Sequence, residues 1–290
     1  MRWLVTGAGG MLGHDAVRVL RERAHEVTAA DRRALDVMDP RAVTAAVAGH
    51  DVVWNCAAFT AVDAAEEDED AAWAVNAAAP ATLGAACAAQ GARLVQVSTD
   101  YVFDGASSAP YPEGAELAPR SAYGRTKAAG EQAVRELLPD DHLVVRTAWL
   151  YGAHGRCFPR TIARLARERG RVQVVDDQHG QPTWTCDVAD LVVRLVEHQV
   201  RAGTYHATAS GSTTWAGFAR EVVAADGGDP QAVQPVTTTA FPRPAPRPAY
   251  SVLGHDALTA AGVRPIGPWR ERWACAAGEV LSDLGRPREG

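Results

Sequence analysis

Tyr123 and Lys127 stand four residues apart in a stretch with helical periodicity over 123–138, so a phenol and an ammonium share one helix face. An ammonium beside a phenol favours phenolate, and the pairing is expected to draw the tyrosine from its usual pKa of about 10 toward working pH. That is the property wanted of a general acid or base in hydroxyl–carbonyl interconversion. Alone, the spacing describes an ordinary surface pair equally well. Two further features stand upstream of it. Thr99 closes an apolar run, 93–98, that reads as a buried strand, and near the N-terminus the run 2–6 breaks into Gly7-Ala8-Gly9-Gly10-Met11-Leu12-Gly13. Glycines at 7, 10 and 13 suit a positive-φ turn, a close backbone approach to a pyrophosphate and tight packing of helix on strand. A plain tight turn would look the same in isolation. The strand before it, an amphipathic helix over 14–23 after it and a second strand, 27–30, running into Asp31 favour a nucleotide site.

These residues need a scaffold, and the chain supplies a regular one. Strand candidates at 51–56, 93–98, 142–146 and 203–207 alternate with helix candidates near 41–48, 71–90 and 123–138. Gly7, Asp31, Ala57, Thr99 and Thr147 all fall at carboxyl ends of strands, where open α/β sheets bind ligands. The expected fold is α/β, a Rossmann-type doubly wound parallel sheet with a smaller C-terminal substrate lobe. Residues 1–150, with a returning segment at about 183–210, would form the NAD(P)-binding domain, and about 151–182 and 211–290 the lobe. Within the lobe we expect helices near 158–168 and 268–284, a turn-rich stretch over 176–183 and an extended proline-rich loop over 235–248. A helix over 187–199 belongs to the returning segment.

Composition limits the function. The chain has 290 residues, a formal net charge of -6 and acids massed at 66–70, which argues against a nucleic-acid surface. That acidic run reads as a solvated helix start. Five scattered cysteines lack metal-ligand spacing and read as reduced thiols, with no metal site. No apolar stretch reaches membrane-spanning length and the chain enters a strand at once, so the expected location is the cytoplasm. Asp31 suits the adenosine ribose hydroxyls of NADH, while Arg32 and Arg33 suit a 2′-phosphate; NADPH is the expected cofactor, with NADH also accepted. Asp31 would equally cap the next turn. His154, His179 and His206 have no partner spacing and read as surface or core residues.

The glycine turn, the strand-end threonine and YxxxK together resemble the extended short-chain dehydrogenase/reductase superfamily. Within it, Ala57-Ala58-Phe59-Thr60-Ala61-Val62-Asp63, Ser98-Thr99-Asp100-Tyr101-Val102-Phe103-Asp104-Gly105, Tyr123-Gly124-Arg125-Thr126-Lys127, Arg146-Thr147-Ala148-Trp149-Leu150-Tyr151-Gly152 and Gln181-Pro182-Thr183 resemble the dTDP-4-dehydrorhamnose reductase family. The resemblance implies NAD(P)H-dependent reduction of the C4 keto group of a dTDP-4-keto-6-deoxysugar, most closely dTDP-4-dehydro-L-rhamnose. Tyr123 would protonate the carbonyl oxygen, Lys127 would hold the nicotinamide ribose and tune Tyr123, and Thr99 would hydrogen-bond the same oxygen. Gly10, Met11, Leu12, Asp31, Asp36, Val37, Ala58 and Thr60 match cofactor contacts, and Asp100 and Trp149 match positions lining the sugar site. Trp149 serves equally well as a core residue, and Arg247 is the late basic residue best placed for a diphosphate.

Departures from the family accompany the match. Tyr250 stands where an asparagine commonly follows Arg-Pro, which weakens the expected diphosphate contacts of that loop. Asp15 and Cys186 occupy positions where some members bind magnesium through glutamates at a dimer interface, so no such metal is expected, and a homodimer is a candidate assembly. Relatives that act as non-catalytic regulatory subunits offer a competing class, disfavoured by intact Tyr123, Lys127 and Thr99. Other 4-keto sugars of secondary metabolism fit as well as rhamnose. Dehydration is disfavoured because Tyr101, not glutamate, follows Asp100.

Overall fold

A computed structural model describes residues 1–282. The strands β1 (Arg2–Thr6), β2 (Glu26–Ala30), β3 (Val52–Asn55), β4 (Arg93–Thr99) and β5 (His142–Thr147) build the central sheet. The short β6 (Leu150–Tyr151), β7 (Val172–Val175), β8 (His179–Gly180) and β9 (Thr183–Trp184) lie outside it, and β10 (Gly203–His206) returns to its edge. The sheet order is β10-β5-β4-β3-β1-β2, every pair parallel. Growth of the sheet reverses between β1 and β3, which opens a crevice at their carboxyl ends.

Both faces of the sheet are covered, so its inner strands carry apolar residues on both sides and alternate residues serve opposite layers. Trp3, Val5, Trp54 and Val95 face one layer, with α1 (Met11–Glu22) and α8 (Thr185–Glu197); Leu4, Val53 and Leu94 face the other, with α2 (Pro40–Val47), α5 (Ala79–Gln90) and α6 (Ala122–Leu137). The first layer runs on without a break into the lobe, through Phe218 and Trp273 of the helices at Trp215–Ala225 and Trp269–Leu281. In the lobe, a strand at Val233–Val236 pairs with β7 and runs into the start of the expected extended loop. No described helix is long and apolar enough to cross a membrane.

The expected helices start or stop within a few residues of the observed ones, and the differences lie elsewhere: one is an unexpected short helix at Asp256–Ala260. The expected single helix over 71–90 is broken into α4 (Glu69–Trp73), a π turn at Ala74–Ala78 and α5. A short α3 (Val62–Glu67) precedes it, so the acidic run spans the end of one helix and the start of the next, with Asp68 capping α4. The helix at Trp215–Ala225 was not expected: its buried face is Ala216, Phe218, Ala219, Val222 and Val223, and with Ala224 and Ala225 on the exposed side as well the hydrophobic contrast is small. The expected helix end at Leu284 lies outside the described residues.

Helix α6 carries Tyr123 and Lys127, and its seating is tightly determined. Ser121 caps it by accepting from the Gly124 N–H. A Cβ at Gly124 would stand 2.2 Å from the Tyr101 carbonyl oxygen, and one at Gly130 2.1 Å from that of Asn76, so no larger residue allows this approach. One turn beyond Lys127, the fully buried Glu131 accepts from Arg146 of β5 through both oxygens, at 2.9 and 2.8 Å, and from Arg135 at 2.6 Å. Burial alone would raise the Glu131 carboxyl, but the bonds and charge of Arg146 hold it below the usual carboxylate range.

Glu131→Gln leaves the buried Arg146 charge without its counterion and should destabilise the fold by about 3–5 kcal/mol in urea unfolding at neutral pH. Because the folded-state pKa is depressed, this contribution is present above the unfolded-state value and is lost as pH falls through the folded-state one. The difference between wild type and variant should therefore shrink below about pH 4.5.

Candidate active site

The crevice at the sheet's reversal point is a cleft of about 660 Å³. Gly7, Gly10, Asp31, Arg32, Asp36, Val37, Ala58 and Thr60, the candidate cofactor contacts of the sequence, all line it. Gly7 sets its floor: φ is +63°, and a Cβ there would stand 2.6 Å from the Ala57 amide nitrogen. Met11, Leu12 and Gly13 form the first turn of α1, whose N–H groups have no intrahelical partners and present a positive helix end to the cleft. The Met11 side chain is partly buried against the core, Leu12 is buried, and Gly13 packs on the Gly7 carbonyl. Asp31 does cap the turn after β2, accepting through one oxygen from the N–H groups of Arg33 and Ala34 at 2.9 and 3.0 Å, and it lines the cleft beside Arg32 and Arg33 as well. A narrow glycine floor, a helix start and a rim with both an acid and arginines fit a nicotinamide dinucleotide.

At the end of β4 the expected reactive groups do meet. Thr99 faces the Tyr123 phenol and donates to Asp100 Oδ1 at 2.9 Å. The other Asp100 oxygen is buried without a close partner beside Ser251, and burial pushes the Asp100 carboxyl up to about 6. Lys127 donates to the Val97 carbonyl at 2.6 Å, and burial draws it down to about 8. The expected lowering of Tyr123 by Lys127 is not what the structure shows. Burial instead pushes Tyr123 up to about 12, partly offset by Thr99, and the ammonium is turned onto the β4 backbone. Tyr123 is accordingly fully protonated at neutral pH.

Beyond this cluster lies a groove of about 820 Å³ in the lobe. Tyr101 links the two, packing edge-on against Tyr123 at 5.6 Å and lining the groove with Arg247, Asp63, Phe158 and Trp215. Trp149 does not line that groove. Its ring stacks flat on Trp215 at 3.5 Å and lies against Gly180, and its φ is +46°. Trp215 in turn packs on Phe158 and donates to Gln178 Oε1 at 3.2 Å. Asp15 is buried and bound to Arg18 and Thr185, joining α1 to α8, and Cys186 accepts from the same Arg18.

Several participants escaped the sequence reading. Asn76, at the π turn, bonds both the N–H and the carbonyl of Phe59 at 2.9 and 3.0 Å and reaches Thr126 Oγ1, so one amide fixes the cleft wall to α6. A polar residue in an alanine-rich apolar helix was the available signal. Trp215, Asp63 and Ser251 left no such signal, since their relation to the site exists only in the folded chain.

The RmlD substrate binding domain model matches residues 1–281. The dTDP-4-dehydrorhamnose reductase of Streptomyces griseus is 49% identical over 100% of this chain and 97% of that protein. The dTDP-4-keto-6-deoxy-D-glucose reductase of Streptomyces niveus is 50% identical over 92% of this chain and 93% of its own length. Among solved structures, a dTDP-4-dehydrorhamnose reductase from Bacillus anthracis in complex with NADP superposes with a TM-score of 0.91 at 35% identity, covering 95% of this chain and 98% of that one. The chain belongs to the RmlD substrate-binding-domain family.

Proposed function

We infer that this chain reduces the C4 keto group of a dTDP-4-keto-6-deoxysugar with a nicotinamide dinucleotide, with dTDP-4-dehydro-L-rhamnose as the first substrate and dTDP-L-rhamnose as its product. One observation carries the reading: Thr99, Asp100 and a protonated Tyr123 meet between a dinucleotide-shaped cleft and an aromatic, arginine-bearing groove. The names of the two Streptomyces relatives support it. In this reading residues 1–150 with 183–210 form the cofactor domain, and 151–182 with 211–290 the substrate lobe.

A bound reduced nicotinamide supplies hydride to the C4 carbon. The chain's own groups manage the oxygen and its proton. Tyr123, held in its neutral form by burial, donates to the oxygen as negative charge develops there. Thr99 adds a hydrogen bond to that oxygen by turning its hydrogen away from Asp100. Lys127 would hold the nicotinamide ribose, and its charge would offset the phenolate left behind. Asp100, Trp149 through Trp215, and Arg247 shape the sugar-nucleotide side. Arg32 and Arg33 at the rim favour NADPH, with NADH accepted through Asp31.

Purified protein assayed against a panel of dTDP-4-keto sugars tests the reading; no cofactor oxidation with any of them would end it. Tyr123→Phe should lower kcat by about 10²–10⁴-fold with cofactor affinity within a few fold, and retention of more than about a tenth would remove Tyr123 as the acid.

The alkaline limb of kcat/KM, which reports the free enzyme, should fall near pH 8, where Lys127 loses its charge. The residual activity of Tyr123→Phe should keep that limb and Lys127→Met should lose it; the reverse pattern would return the limb to the tyrosine.

The ratio of kcat/KM for the two cofactors checks the preference. NADPH should be at least as good as NADH, with Arg32→Ala lowering the NADPH value selectively, and an advantage for NADH of about tenfold would refute it.

A further inference from the structure

The loop over 243–247 turns three donors of the lobe onto one carboxylate of the facing wall. Asp63, in the first turn of α3, accepts from Arg247 at 2.9 Å and from the Ala245 N–H at 3.3 Å, and Arg243 stands 3.9 Å away. A backbone N–H with two guanidiniums around a pair of oxygens is the donor set that phosphate takes. All of these residues line the lobe groove. The arginines that suit an incoming anion are thus already occupied by an anion of the protein's own.

We propose that Asp63 is an affinity-setting residue: its carboxylate stands in for the substrate's diphosphate and must be displaced from Arg247 for the nucleotide sugar to bind. This rests on the reading of the groove as the nucleotide-sugar site. The side chains of Asp63 and Arg247 keep 31% and 19% of their exposure, so the pair is reached by water and separates at small cost. A diphosphate brings more charge than one carboxylate and takes both guanidiniums. The affinity observed is the intrinsic affinity reduced by the fraction of molecules in which Arg247 is free. The Arg247 guanidinium also bonds the Ala245 carbonyl at 3.0 Å, so it stays in place when Asp63 leaves.

The experiment titrates dTDP into the full chain, read by calorimetry, for wild type, Asp63→Asn, Arg247→Gln and the double variant. Asparagine keeps the size of Asp63 and an acceptor for Ala245 while removing the charge. Asp63→Asn should bind dTDP about fivefold tighter or more, and Arg247→Gln should bind it about tenfold more weakly or worse. In the Arg247→Gln background the Asp63 change should have an effect below about twofold. Asp63→Ser should tighten binding as Asp63→Asn does, so a folding defect in one variant does not decide the outcome. If wild type binds dTDP and both Asp63 variants bind it equally or more weakly, Asp63 holds Arg247 in place rather than competing for it, and the proposal is overturned. If wild type itself does not bind dTDP, the reading of the groove fails first and the proposal with it.

Discussion

A carboxylate removed from water is tolerable only when its charge and lone pairs are met, and Glu131 is such a group. Arg146 grips it through both oxygens from β5, and Arg135 holds it from one turn further along α6. Arg146 also reaches the Glu113 carbonyl and His206 of β10, so the pair fastens helix, sheet and returning edge strand at one point. Sliding α6 by one residue would part Glu131 from Arg146 and leave that buried guanidinium without its counterion. Tyr123 and Lys127 therefore inherit their positions from an ion pair that takes no part in the chemistry.

The same burial that makes that pair necessary sets the electrostatics of the reactive cluster. Desolvation penalises whichever form is charged, so it acts on Tyr123 and Lys127 in opposite directions, keeping the phenol neutral and bringing the ammonium close to losing its proton. A protonated acid and a marginal cation thus stand one helical turn apart. In this state the phenol answers to Thr99 and the ammonium to the Val97 carbonyl, and the two are not each other's partners.

Much of this was legible in the sequence because the strands are buried on both sides. The inner strands announced themselves as short apolar runs and the two edge strands as short segments beside them, ending in Gly7, Asp31, Ala57, Thr99, Thr147 and Ala207, and strand ends are where such sheets collect their ligand-binding residues. The glycine turn and the Tyr123–Lys127 spacing are local patterns and were read as such. What stayed hidden depends on contacts between distant segments. The sign of the Tyr123 shift needed the depth of the pocket, not the identity of its i+4 neighbour. Trp149 was readable as a wall residue, but its stacking on Trp215 joins positions 66 residues apart across the lobe (215 − 149 = 66). Residues 215–225 were missed because alanines on both faces leave little periodicity.

The π turn at Ala74–Ala78 has its own consequence. A widened turn adds one residue to the helical count, which puts everything after it about 100° out of phase with everything before. α4 can therefore show Trp73 to solvent while α5 still lays its apolar face on the sheet, and Asn76, at the slip, points where neither helix would otherwise send it. Loss of any one alanine here would leave composition and propensity almost untouched and would yield a straighter helix. That helix would carry the amide a quarter-turn away from Phe59 and Thr126. Between Glu69 and Gln90 the chain is thus constrained in arithmetic as much as in chemistry: the number of residues is itself part of the site.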